Sequence, residues 1–97
     1  MSRIHYLKIE REYRYAVHRG EKTFEVRRND RDFQVGDILI LTPLPDETDT
    51  TSVVVRVEYV LPGGRFGVDP DFCVMSIRGF QITPAIMGFV GTPRATS

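Results

Sequence analysis

The amino-acid sequence predicts a small α+β domain, mostly β: a barrel of five to six short strands with one N-terminal helix. Three observations predict it. Stretches that alternate or are dominated by β-branched residues recur at 4–9, 23–28, 37–42, 52–60 and 72–77. Only residues 10–19 carry a helical period. Glycine, proline, asparagine and aspartate punctuate the intervals between these stretches. Closing such strands into a barrel removes exposed edges, which is why a barrel is expected rather than an open sheet.

In chain order, residues 4–9 place His5, Leu7 and Ile9 on one side of a strand and Ile4, Tyr6 and Lys8 on the other. The helix over 10–19 opens with Glu10 and Glu12 and ends with His18 and Arg19, charges that match its dipole. Tyr13, Ala16 and Val17 form its apolar stripe, and Gly20 is placed to end it in a left-handed conformation. The strand over 23–28 is expected to face Phe24 and Val26 to one side and Thr23, Glu25 and Arg27 to the other. A polar loop, 29–32, and a Gln34-Val35-Gly36-Asp37 turn lead into the strand over 37–42, whose Ile-Leu-Ile-Leu run suggests burial on both faces. Residues 43–51 read as a mobile acidic loop. The strand over 52–60 alternates most clearly, residues 61–70 must bend sharply, and 72–77 is the last strand. The whole is one domain, with a core at about 4–78 and an irregular apolar tail at 79–97.

The charge balance limits the partners. Thirteen basic residues offset thirteen acidic ones, whereas proteins that live by non-specific phosphate binding are usually basic overall. The charge is unevenly spread: residues 1–31 hold nine Lys/Arg against five Asp/Glu, and 32–97 hold four against eight. A local basic patch in the first third therefore favours a small ligand or a short RNA element over long duplexes. A single cysteine, Cys73, in an apolar run reads as a buried inert thiol in a reducing compartment. No apolar run approaches membrane-spanning length and no leader pattern is evident, so a soluble cytoplasmic protein without membrane association is expected. His5 and His18 lack supporting ligands, so neither a metal site nor a cofactor is expected.

The chemistry concentrates in residues 20–37. Lys22, Thr23, Glu25 and Arg27 put an ammonium, a hydroxyl, a carboxylate and a guanidinium in one row, followed by Arg28, Arg31, Asp32 and Phe33. A solvated strand face laced with ion pairs has the same appearance. Gly20-x-Lys22-x-x-Glu25-x-Arg27 nevertheless fits the G-x-K-x-x-E-x-R signature of ASCH domains. With the His5-x-Leu7-Lys8-Ile9 start and the run from Asn29 to Asp37, the chain resembles short bacterial and phage proteins of ASCH-like, PUA-like fold. The resemblance covers about residues 5–78. It implies a PUA-like pseudo-barrel and a site at the signature.

Three functions follow as expectations. The first is binding of RNA or a nucleotide-like molecule, with Lys22, Arg27, Arg28 and Arg31 on phosphates, Glu25 and Asp32 as polar partners, and Phe33, Tyr6 or Phe66 stacking on a base. The second is hydrolysis of a modified nucleoside, for which Lys22, Thr23 and Glu25 are the catalytic candidates. Some ASCH-domain proteins are amidohydrolases that use a Thr, a Lys and a Glu, but their threonine matches the position of Glu25 here and their distant glutamate has no counterpart. The third is a protein partner, or self-association, through residues 80–90.

Overall fold

The computed structural model describes residues 2–79. They form β1 (Ile4–Lys8), α1 (Arg11–His18), β2 (Phe24–Arg28), β3 (Ile38–Thr42), β4 (Val53–Pro62) and β5 (Phe72–Gly79). The expected elements are all present, with bounds shifted by one or two residues. The tail role assigned to residues 80–90 lies outside the described residues.

The strands make one mixed sheet in the order β1-β3-β4-β5-β2, with β1 parallel to β3 and the other pairs antiparallel. It curls into a half-barrel. Among the described residues β1 and β2 are its two edges, and no ladder joins them. The expected closed barrel is thus observed only as far as this open, curled sheet. The outward carbonyls of β1 instead accept from side chains: Arg27 Nη2 donates to Lys8 O at 3.0 Å and Arg31 Nη1 to Tyr6 O at 3.3 Å.

The core lies on the concave face. Leu7, Leu39, Leu41, Val55, Val57, Cys73, Met75 and Ile77 point inward from four strands, and Ile9, Val17 and Phe33 pack against them. Burial pushes the Cys73 thiol pKa up, consistent with its reading as an inert core residue. In β3 only Leu39 and Leu41 are fully buried; Ile38 and Ile40 are half-buried, so two-sided burial is partial. A register shift between Val57 and Tyr59 marks a bulge in β4, after which Tyr59 turns outward opposite Ser76.

Helix α1 departs from its expected stripe. Its buried residues are Arg14 and Val17, at i and i+3, while Tyr13 is exposed. Arg14 is drawn in because Nη2 donates to Glu47 Oε1 at 2.9 Å and to the Asp49 carbonyl at 3.2 Å. Tyr15 donates its hydroxyl to Asp49 Oδ2 at 2.5 Å, and that bond, with the Thr51 N–H, holds the Asp49 carboxyl at about 2. The acidic loop is therefore tied to the helix by one ion pair and two further hydrogen bonds.

The bend at 61–70 rests on a glycine for steric reasons. A Cβ at Gly63 would overlap the carbonyl oxygens of Asp69 and Phe72. Both are backbone atoms in a hydrogen-bonded turn, where Phe72 N donates to Asp69 O. We expect Gly63→Ala to cost about 1–3 kcal/mol in urea unfolding, the scale of overpacking, whereas an Ala at the open Gly64 should act only through its left-handed φ of 94°.

Candidate functional site

Gly20 delivers the signature to the sheet. Its φ of 79° turns the chain out of α1, and the N–H groups of Glu21 and Lys22 both donate to Ala16 O, at 2.9 and 3.1 Å. Lys22 therefore arrives beside the start of β2, with Nζ 4.8 Å from the Phe24 ring centre and 5.8 Å from that of Tyr13.

Strand β2 is inverted relative to the usual pattern. The two expected faces of the strand are present, and the polar one is inside: Phe24 is 46% and Val26 50% exposed, while Glu25 is 3% exposed. Register explains this. Glu25 lies opposite Met75 and Arg27 opposite Cys73, both core residues of β5, so the polar row shares the concave face. Two cations there compensate the buried carboxylate. Lys22 Nζ donates to Glu25 Oε1 and, at 2.7 Å, to Phe24 O. Arg27 Nε donates to Oε2 at 2.9 Å.

The donor count shows what remains for a ligand. An ammonium has three N–H groups and a guanidinium five. Lys22 uses two of its donors and Arg27 uses two, in the bonds to Glu25, Phe24 O and Lys8 O. The cluster thus keeps unused cationic donors around one satisfied carboxylate. A cavity of about 300 Å³ lies alongside, with Val17, Val55 and Ile77 as its apolar lining and Lys22, Thr23 and Arg78 at its polar side.

Other expected site residues are placed elsewhere. Arg28 faces outward opposite Phe72, its guanidinium 5.0 Å over that ring and 3.8 Å from Asp71. Arg31 holds the β1 edge. Asp32 is a structural loop residue with φ of 50°; its carbonyl accepts from Arg3 and its carboxylate from Gln34. Phe33 cannot stack on a base, because it is buried with its ring edge-on to His5 at 4.8 Å. Tyr6 and Phe66 are exposed.

Sequence reasoning missed two buried polar anchors. Asp37 is fully buried and accepts from Arg3 N at 3.1 Å, Gln34 N at 3.0 Å and His5 Nε2 at 2.9 Å. Burial alone would push its carboxyl up, but the bonds from His5, Arg3 N–H and Gln34 N–H outweigh that and leave its pKa below the ordinary value. Its only signal in the sequence is a turn aspartate before an apolar strand. Arg14, the second anchor, had no signal beyond its spacing to Val17.

Among the described residues no helix is long and apolar enough to cross a membrane. No curated protein matches the chain. A family model, described as a domain of unknown function (DUF3850), matches residues 4–77, which reach all five strands and include Lys22, Glu25 and Arg27. The chain belongs to the DUF3850 family.

Proposed function

We propose that this protein is an ASCH-like, PUA-like domain that binds RNA or a nucleotide-like ligand through Lys22, Glu25 and Arg27. One observation carries the reading. A carboxylate occupies an inward strand position opposite Met75, where an apolar side chain would bury at lower cost. Polar groups buried at a cost in stability are candidates for functional sites. Glu25 fixes the two cations in place and leaves their unused donors for phosphate or base oxygens. The signature spacing of Gly20, Lys22, Glu25 and Arg27 supports the superfamily assignment.

A hydrolase reading has one supporting feature: Thr23 and Lys22 border the same cavity. Activating a threonine hydroxyl requires a neighbouring base. Lys22 Nζ is instead engaged as a donor to a carboxylate and a carbonyl. Binding is therefore the better-supported function.

Amide NMR titration with short single-stranded RNAs and mononucleotides tests it. Shifts should map to residues 22–31. Lys22→Ala and Arg27→Ala should each weaken binding about tenfold or more, the worth of one charge-assisted hydrogen bond. Acylated cytidine turned over by the parent chain but not by Lys22→Ala would establish the enzyme reading instead. Unchanged spectra with all these compounds would remove both.

A further inference from the structure

The outer face of the sheet carries an apolar slot near the end of β5. Ser76 is paired with Phe24 on one side and Tyr59 on the other, and in the next outward row Val74 is paired with Val26 and Leu61. Side chains paired across a sheet point to one face. The first row is therefore a small hydroxyl between two rings, and the second a valine between two aliphatic groups. The register shift in β4 builds this arrangement, since the extra residue brings Tyr59 rather than Glu58 opposite Ser76. Neighbouring strands lie about 4.8 Å apart, so the strands bearing the two rings are about 10 Å apart across Ser76. That leaves room for one apolar side chain.

The slot is open among the described residues. Phe24 and Val26 are about half exposed and Tyr59 is 62% exposed. A scattered exposed apolar residue needs no explanation, whereas three around one slot do. Together they leave about 300 Å² of surface open, if a ring side chain presents about 200 Å² in full. A stable interface with a second copy takes about 800 Å² from each partner. The slot is matched in size to a short segment of chain.

The chain itself supplies one. Strand β5 ends at Gly79, three residues beyond Ser76, so the chain leaves the sheet about 10 Å from the slot. Residues 79–93 contain no charged residue, although 27% of the whole chain is charged. They include Phe80, Ile82, Ile86, Met87, Phe89 and Val90. A segment of that composition gains free energy by burial rather than by remaining in water. The six residues 80–85 are enough to reverse direction and return about 10 Å along the sheet.

We propose that residues 86–90 dock within the same molecule in this slot, their apolar side chains filling the space over Ser76 and Val74 between the Phe24 and Tyr59 rings. Phe24 also holds its ring 4.8 Å from Lys22 Nζ. The docked segment therefore borders the cation cluster, while Glu25 and Arg27 face the opposite, concave side. The docking is independent of what the cluster binds.

Methyl NMR of the full chain tests this. Cross-relaxation should link the Ile86 or Met87 methyl groups to those of Val26, Leu61 or Val74. In a mixture of two differently labelled samples, the same links should be absent between molecules. Ser76→Trp, at an exposed position of β5, fills the slot. It should abolish the links while leaving the core methyl signals of Leu39 and Val57 in place. It should also speed chymotrypsin cleavage after Phe89 about tenfold or more, as expected when a segment loses the burial of one large apolar side chain. Tyr59→Ser, which removes one wall of the slot, should act in the same direction. Links found only between molecules would assign the slot to a second copy and overturn the proposal. Random-coil shifts for residues 86–90 in the parent chain, or equal cleavage rates in the parent and both variants, would overturn it as well.

Discussion

Glu25→Ala is expected to destabilise the protein by about 3 kcal/mol, the scale on which breaking one side of a buried ion pair acts. The variant leaves Lys22 and Arg27, both largely withdrawn from solvent, facing the Met75 and Cys73 side of the core without a carboxylate. Replacing all three together, Lys22→Met with Glu25→Leu and Arg27→Leu, should restore or exceed the parent stability, because apolar groups of similar volume fill the same space without desolvating charge. That triple variant should also lose ligand binding. Urea unfolding with an unchanged m-value gives the stabilities. If Glu25→Ala unfolds within about 0.5 kcal/mol of the parent, the cluster behaves as a screened surface network, and its claim to be a site is lost.

Asp37→Ala should be at least as damaging, at about 3–5 kcal/mol, since the carboxylate is wholly buried and joins three parts of the chain. It receives the backbone N–H of Arg3 before β1, that of Gln34 in the turn, and the His5 ring from β1. Without it, two backbone N–H groups and a buried imidazole lose their acceptor together. The pH dependence has a definite sign. The folded carboxyl titrates below its ordinary value, so the unfolded chain binds the proton more readily. Its contribution is therefore complete above about pH 4, the unfolded pKa, and is lost as pH falls through the lower folded pKa. Asp37→Asn should flatten that acid limb and lower stability at neutral pH. A limb of unchanged slope between pH 5 and pH 2 would assign acid sensitivity to other carboxylates, such as Asp49 and Glu47, whose values are also depressed.

These two residues show how unevenly the chain can be read in advance. The existence and order of the five strands and the helix were legible, because β-branched alternation and turn residues are local properties. Gly20 was legible for the same reason: a glycine after a helical window has a local cause, and its φ of 79° agrees with it. The membership of the site was only half legible. Lys22, Glu25 and Arg27 announced themselves by type and spacing, but which way they faced did not follow from β2 alone. Alternation identifies two faces without saying which one is inside.

Local sequence thus determined the element order, the glycine-led turn into β2 and the residue types that meet there. Tertiary structure decided that the polar face of β2 is the inner one, that Phe33 belongs to the core, and that the β1 edge is satisfied by arginines. The physical reason is pairing. Once β2 aligns Glu25 with Met75 and Arg27 with Cys73, the sheet's curvature carries both charges inward with the core of β5, and a carboxylate enclosed in that way must take Lys22 and Arg27 as its partners. That register depends on a strand nearly fifty residues away in the chain, which no window around Glu25 contains.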